Sequence, residues 1–197
     1  MGKKQKLGAI LVAAGLILVL CSLGIHLLQE QEEELAGQTA ELLLEQLKNP
    51  VILPPKVPEN TAPQQDPVLP TVTYMDFEMI GSIRIPSLGM QLPVLNEWTD
   101  ESLKAAPCRY QGSIAEGNMI IMGHNYRKHF RPLHDVKEGA EVIFEDVLSK
   151  QYKFRVAEIE YLHRTQGEAL PSKYPLSVFT CTSGGLDRII LRCETAE

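Results

Sequence analysis

Apolar residues form one continuous stretch near the start of the chain and alternate with polar residues through much of the remainder. Residues 7–28 contain no Lys, Arg, Asp or Glu. As a helix this segment would be roughly 33 Å long at ~1.5 Å per residue, which is enough to cross a bilayer. The pattern therefore predicts a transmembrane anchor over residues 7–28.

Two further segments separate this anchor from the alternating region. Residues 29–49 are rich in helix-forming residues and predict a membrane-proximal helix, which could self-associate. Its apolar face is expected to comprise Leu35, Leu42, Leu43 and Leu47. The proline-rich stretch at 50–73 predicts an extended, semi-rigid spacer without a packed core.

Period-two alternation predicts strands at 79–95, 140–146 and 151–163. The apolar run at 118–125 predicts a buried strand with a polar tip, and 176–181 and 188–194 are expected to be the last two strands. Pro86 to Gly89 divide the segment 79–95 with a turn signal, and short helical turns fit 99–106 and 130–136. About seven or eight short strands between residues 74 and 197 predict an all-β, closed or nearly closed barrel domain.

The charge distribution orients the anchor. Residues 1–6 form a basic tip with Lys3, Lys4 and Lys6, and flanking positive charge favours the cytoplasmic side. We therefore expect a single-pass protein of the cell membrane with a cytoplasmic N-terminus and an extracellular domain. A cleaved signal peptide is the alternative, but the apolar run exceeds the usual h-region of about 7–15 residues and no A-x-A site follows closely.

Composition narrows the possible partners and the state of the cysteines. The formal net charge is −6 and no stretch forms a basic face, so a nucleic-acid partner is not expected. Of the four cysteines, Cys21 lies in the predicted span, and the remaining three cannot all pair within one chain. At least one thiol is then free; Cys108 is expected at the surface and Cys193 in the core.

Three polar residues, His124, Cys181 and Arg188, stand at the ends of predicted strands. Each type also has an ordinary structural role. A cysteine in an apolar strand is commonly buried, a histidine after a strand commonly forms surface hydrogen bonds, and a strand-opening arginine can pair with an acid such as Asp187. A catalytic role is favoured over these structural roles only if the three side chains lie close together.

The last two predicted strands bring two of these residues together. If Cys181 and Arg188 flank the six-residue turn TSGGLD, they face each other across an antiparallel pair and point to the same face. Cys193 then lies opposite Leu176, on the other face and roughly 17 Å along the strand from Arg188, which excludes a disulfide with Cys181. Arg192 shares the face of Arg188 and is the second-choice arginine.

Cysteine, histidine and arginine together suit acyl transfer through a thioester. An ordinary thiol is only slightly ionised at neutral pH, and a nearby His or Arg favours the thiolate. Histidine can deliver a proton to a leaving amine. A guanidinium can hold a substrate carbonyl and stabilise the oxyanion of a tetrahedral intermediate. We expect Cys181 to be the nucleophile, His124 the acid/base and Arg188 the clamp.

Four segments resemble the sortases, membrane-anchored cysteine transpeptidases of mainly Gram-positive bacteria. They are IGSIRIPSLGMQLPVL (80–95), GNMIIMGHN (117–125), FRPLHDVKEGAEV (130–142) and LSVFTCTSGGLDRIILRCE (176–194). The Thr-Cys pair and the Arg-apolar strand after it are the most specific marks. The resemblance covers nearly all of residues 74–197, and it implies an eight-stranded sortase-type β-barrel with short helices.

The resemblance also implies a reaction and its residues. His124, Cys181 and Arg188 would form the catalytic group, Thr180 would help to orient substrate, and Asn125 would orient the His124 ring or bind substrate. Cys181 would attack the Thr–Gly bond of an LPXTG-like sorting signal in a secreted protein, and an amine of a cell-wall precursor or a pilin lysine would resolve the thioester. No metal or organic cofactor is required. The short turn after the cysteine fits a class B-like or a class D-like enzyme.

Three alternatives remain. A thiol endopeptidase would use the same residues with water as the acceptor. A zinc site would need ligands that converge, but His124, His129 and His134 are five residues apart and do not share a helical face, and no C-x-x-C pair is present. A non-enzymatic, membrane-anchored binding barrel would have Cys181 buried and unreactive.

Overall fold

The computed structural model describes residues 3–48 and 70–196, with side chains from residue 11 onward. The predicted proline-rich spacer at 50–73 therefore lies outside the described residues, except for its last four. A single helix, α1 (Lys3–Lys48), replaces the two helices predicted over 7–28 and 29–49. The two segments fuse because no proline interrupts them and the intervening Gln and Glu residues favour a helix.

The first part of α1 has the character of a membrane span. The helix is long and apolar enough to cross a bilayer, and the large apolar side chains of residues 11–28 are exposed. These properties are consistent with a single-pass anchor. The chain divides into two compact units, residues 1–35 and 36–197. The second unit therefore begins before the domain start that was predicted near residue 74.

Within residues 70–196 the structure contains nine strands and one short α-helix. The helix α2 (Asp100–Ala105) lies within the predicted segment 99–106, and Thr99 caps it by accepting a hydrogen bond from the Ser102 backbone. The strands are β1 (Val72–Tyr74), β2 (Phe77–Ile85), β3 (Met90–Leu95), β4 (Cys108–Gln111), β5 (Met119–Met122), β6 (Glu141–Asp146), β7 (Gln151–His163), β8 (Leu176–Cys181) and β9 (Asp187–Thr195).

Eight of these strands close into a barrel, which confirms the predicted fold. Their order is β2-β3-β4-β5-β8-β9-β7-β6, and β6 pairs with β2 to complete the circle. The short β1 only extends the sheet as a hairpin with β2. Most neighbours are antiparallel, but β3 runs parallel to β4 through a single pair and β5 runs parallel to β8 through four. The pairing of β5 with β8 sets the carboxyl ends of these two strands side by side.

Alternation along the strands separates two apolar surfaces. The barrel interior is filled by a large buried cluster that includes Ile121, Val178, Leu191 and Cys193. A second cluster covers the outer face of the central strands and consists of Ile120, Leu162, Leu170, Phe179 and Ile190. We call these five residues the outer-face cluster.

The last part of α1 packs on the barrel with a face that the sequence did not indicate. Ala36, Ala40 and Leu43 are buried, whereas Leu35 and Leu42 are 64% and 50% exposed. The small side chains of Ala36 and Ala40 allow the helix backbone to approach the barrel closely, and Leu43 packs in a buried cluster of its own. The predicted leucine face is therefore wrong for Leu35 and Leu42, and it holds for Leu43 and for the partly buried Leu47.

Candidate active site

The C-terminal hairpin has the predicted register. Cys181 on β8 pairs with Arg188 on β9, and Leu176 pairs with Cys193. The turn is closed by a hydrogen bond from the Thr182 backbone N–H to the Asp187 carbonyl, at 2.8 Å. Because directly opposed residues share a face, Cys181 and Arg188 both lie on the outside of the barrel while Cys193 lies in its core.

The parallel pairing of β5 with β8 brings His124 to the other side of Cys181. The last paired residues are Met122 and Phe179, and the Gly123 N–H continues the pairing by donating to the Phe179 carbonyl at 3.1 Å. The same register, continued two residues past the last pair, sets His124 next to Cys181. His124 after the end of β5, Cys181 at the end of β8 and Arg188 on β9 thus follow one another across the sheet.

Thr180 has a different role from the substrate contact expected of it. The side chain is fully buried, and its hydroxyl donates to the Gly123 carbonyl at 2.8 Å. It points to the opposite side of β8 from Cys181, because successive strand residues alternate. Thr180 therefore ties the end of β5 to β8, next to His124, and is not available to a substrate.

The side-chain oxygen of Asn125, the residue after His124, is a hydrogen-bond acceptor without a donor. Its Oδ1 atom is buried and has no hydrogen-bond partner among the described residues. The backbone carbonyl of Asn125 accepts a hydrogen bond from Arg131 Nε at 3.1 Å, which fixes the residue's position. A buried amide oxygen without a partner is costly, so a substrate donor would find a favourable acceptor here.

The thiols of the barrel fall into two kinds. Cys181 is exposed, whereas Cys108 and Cys193 are buried. Burial raises the pKa of the Cys108 thiol to about 12, against a smaller opposing effect of Ser102, and it raises the pKa of Cys193 to about 12. The expected surface position of Cys108 is wrong, because this residue opens β4 and pairs with strands on both sides.

The Arg188 side chain is held in position, but its hydrogen-bond donors are not all used. Its guanidinium lies over the Phe179 ring, 5.5 Å from the centroid, in a cation–π arrangement. The buried Nε has no hydrogen-bond partner in residues 3–48 and 70–196. A Cβ added at Gly167 would lie 3.9 Å from Arg188 Nη1, so the loop after β7 flanks the guanidinium. Arg188 can therefore present donors to a substrate oxygen.

Arg192, the second-choice arginine, uses its donors in hydrogen bonds to other parts of the protein. It is 2% exposed, and its Nε and Nη2 lie 2.9 and 2.8 Å from Glu160 Oε2. Nη1 and Nη2 also donate to the carbonyls of Leu170 and Ala169, at 2.6 and 2.8 Å. A further bond from Nη1 reaches Ser177 Oγ at 3.1 Å. These bonds fix the loop of residues 164–175 against the barrel and leave Arg188 as the available cation.

The ring of His124 is supported by aromatic residues that the sequence pattern did not assign to the site. It stacks on Tyr126 with centroids 4.6 Å apart, and Tyr126 contacts His129 at 5.4 Å. Gly123 is needed before the histidine, because a Cβ there would overlap the Phe130 ring. An aromatic residue two positions after the histidine is the sequence signal that marks this support.

Aromatic side chains also extend the exposed surface beside Cys181. Tyr110 meets Phe179 edge-on at 5.6 Å, and Trp98 stacks on Tyr110 at 5.9 Å. Trp98 is 46% exposed. The outer-face cluster itself is buried, so Trp98, which Tyr110 connects to Phe179, is an exposed apolar contact that this side of the barrel offers to an extended peptide.

The described residues contain no group of three or more His, Cys, Asp or Glu side chains that could hold a metal ion. His129 is fully buried beneath α1, and His134 belongs to a separate 3-10 turn. The three histidines at five-residue spacing therefore do not converge on one point.

Comparison with known proteins agrees with the fold. The family model for the sortase domain matches residues 83–196. The chain is 27% identical over 113 residues to Sortase A of Bacillus anthracis, a match that covers 54% of this chain and 53% of that protein. The chain thus spans about half the length of this curated relative.

Solved structures share the fold across several sortase classes. Listeria monocytogenes sortase A matches with a TM-score of 0.54 and 22% identity over 60% of this chain and 88% of that one. Clostridium perfringens Sortase D5 transpeptidase matches with a TM-score of 0.55 and 19% identity, covering 60% and 79%. Streptococcus agalactiae sortase C1, solved in complex with MTSET, gives 0.53 and 19% over 60% and 69%. Since the domain model matches more than half of the chain, this protein belongs to the sortase family.

Proposed function

We propose that the protein is a cysteine transpeptidase that cleaves an LPXTG-like sorting signal and transfers the acyl group to an amine. The observation that supports this function best is the succession of His124 just after β5, Cys181 on β8 and Arg188 on β9, with an exposed thiol between the other two side chains. The binding-barrel alternative required a buried Cys181 and loses its premise.

In the first half-reaction the Cys181 thiolate attacks the carbonyl carbon of the scissile peptide bond. The new C–S bond leaves negative charge on the carbonyl oxygen, and the Arg188 guanidinium, whose Nε has no partner among the described residues, is a suitable donor group for it. Collapse of this intermediate breaks the C–N bond, and His124 gives a proton to the leaving amine. The product is a thioester on Cys181.

In the second half-reaction an amine from a cell-wall precursor or a pilin lysine attacks the thioester. His124 removes a proton from this amine, the C–S bond breaks, and a new amide forms. Asn125 Oδ1 is suited to accept a hydrogen bond from a backbone N–H of the donor peptide. With water in place of the amine, the same steps describe the endopeptidase alternative.

The reaction is placed at the outer surface of the cell membrane. The apolar first part of α1 serves as the anchor, and the lysines at positions 3, 4 and 6 keep its start in the cytoplasm. The barrel then faces the compartment in which secreted proteins and cell-wall precursors meet.

Intact-mass measurement on the full chain in detergent micelles tests the proposal. The protein is incubated with a pool of LPXTG-like peptides, with and without triglycine as the amine acceptor. We expect an acyl adduct that disappears in Cys181→Ala, persists in the control Cys21→Ala, and converts to amine-linked product when triglycine is added. Hydrolysed product alone, in the presence of triglycine and a lysine peptide, would favour the endopeptidase. No adduct with any peptide, together with a Cys181 that resists alkylation, would refute both.

A further inference from the structure

Residues 36–48 of α1, which we call the docked segment, belong to the same compact unit as the barrel. Ala40 is part of the main buried cluster, and Leu43 packs with Met79, Leu95 and Cys108 in a smaller one. The docked segment therefore contributes to the core of the domain as well as connecting it to the anchor.

The docked segment also contacts the loop that carries His124. The ring of His129 is fully buried, and its Nε2 lies 3.3 Å from the carbonyl oxygen of Ala36. At the next position of the helix, a Cβ added to Gly37 would overlap the Lys128 side chain. Lys128 Nζ also lies 3.9 Å from the Glu41 carboxylate. The helix and the loop thus touch at three successive places.

From His129 the contacts continue to the ring of His124. Tyr126 packs between the two imidazoles, at 5.4 Å from His129 and 4.6 Å from His124. The loop backbone is held by bonds of its own, from His129 N–H to the Tyr126 carbonyl at 3.0 Å and from Phe130 N–H to the His124 carbonyl at 3.1 Å. A displacement of His129 is therefore transmitted to the face on which the His124 ring stacks.

We propose that the docked segment positions the His124 ring through His129 and Tyr126, so that the membrane-proximal helix is part of the catalytic unit. His129 and Tyr126 are positioning residues, because they act through His124. The inference rests on the proposed role of His124 in proton transfer. That role requires the ring within hydrogen-bond distance of the leaving amine, and a shift of about 1 Å can cost about 100-fold in rate.

The contacts predict a specific kinetic signature. The surface beside Cys181, to which a donor peptide would bind, is supported from beneath by the outer-face cluster, which shares no residue with the two clusters that contain Ala40 and Leu43. Loss of the docked contacts should therefore lower kcat for peptide transfer and leave the KM of the donor peptide nearly unchanged. A general loss of folding would instead reduce the amount of active enzyme and the thermal transition together.

Paired substitutions at His129, made in the full chain in nanodiscs, test the inference. His129→Leu keeps the volume but removes the donor to Ala36, and we expect kcat to fall about 10- to 100-fold with KM within about twofold. His129→Gln places an amide near the position of Nε2 and is expected to restore kcat to within about threefold of wild type. Leu42→Ala, on the exposed side of the same helix, is the matched control and should change neither constant.

A spectroscopic measurement makes the result independent of turnover. The His124 imidazole resonance, assigned by its loss in His124→Gln, should move in His129→Leu and return in His129→Gln, because the Tyr126 ring current acts on it. If the wild-type chain transfers no peptide, the proposed function fails. The shift of this resonance in His129→Leu still shows whether His129 positions the His124 ring. A folded His129→Leu with wild-type kcat and an unmoved resonance would overturn the inference. So would a loss of kcat that His129→Gln fails to restore.

Discussion

Replacement of Arg192 with methionine is expected to release the loop of residues 164–175 from the barrel. Methionine fills a similar volume but has no donors, so the carbonyls of Ala169 and Leu170 lose the bonds that now hold them. Leu170 is fully buried in the outer-face cluster, and the same loop flanks Arg188. The substitution should therefore affect both stability and the substrate surface.

The magnitude follows from the bonds that are lost. A buried acceptor left without a partner costs about 1–3 kcal/mol, and breaking a buried ion pair costs about 3–5 kcal/mol. Glu160 is 32% exposed and can regain water, which places the loss at the lower end, about 3 kcal/mol. With a urea m-value of about 2 kcal/mol per molar, the unfolding midpoint should fall by about 1.5 M.

Two measurements on the full chain in micelles check this reasoning. Urea unfolding gives the change in midpoint, and hydrogen exchange reports whether protection is lost at 164–175 before the strands open. Donor-peptide KM should rise, because the loop borders the substrate surface. Arg155→Met, at an exposed position of β7, is the control and should leave the midpoint within about 0.3 M, as most surface substitutions do. An Arg192→Met midpoint and loop protection equal to wild type would refute the assigned role.

Three further predictions concern single side chains. Thr180→Val should lower kcat about tenfold in a peptide-transfer assay while Thr180→Ser restores it, because only the hydroxyl bond to Gly123 is at issue; equal activity of both variants would contradict this role. Arg188→Lys keeps the charge but loses the planar donors, so kcat/KM should fall about 100-fold or more, and a value within threefold of wild type would exclude an oxyanion role. Cys108 and Cys193, with pKa values raised to about 12, should resist iodoacetamide up to about pH 10 in the folded chain and react after unfolding. Because the same thiols have a pKa near 9 in the unfolded chain, the free energy of unfolding should decline as the pH rises from about 9 toward 12.

The parts of the fold that sequence reasoning predicted are those with local causes. Alternation locates the strands because each strand has one face in the barrel interior. The pairing of Cys181 with Arg188 was predictable because a short turn fixes the register of the two strands that it joins. The family segments led to the same barrel.

The parts that were missed depend on contacts between distant segments. The grouping of His124 with Cys181 was implied by the family resemblance and not by periodicity, because it rests on a parallel pairing of strands far apart in the chain. Cys108 follows a proline and resembles a loop residue, yet it pairs with strands on both sides. The buried face of the docked segment was misjudged because leucine marks hydrophobicity, whereas close packing on the barrel selects Ala36 and Ala40.

Three buried polar side chains explain how these distant segments are held at the site. Thr180 donates to the Gly123 carbonyl, Arg192 to the Leu170 carbonyl, and His129 lies at hydrogen-bond distance from the Ala36 carbonyl. A buried donor without an acceptor is costly, so each of these side chains favours the one arrangement in which its carbonyl is within reach. The three carbonyls belong to the residue after β5, the loop at 164–175 and the docked segment. Substitution of these donors should therefore change catalysis without removing any group that touches the substrate, and their polarity in otherwise apolar surroundings is what distinguishes them from ordinary core residues.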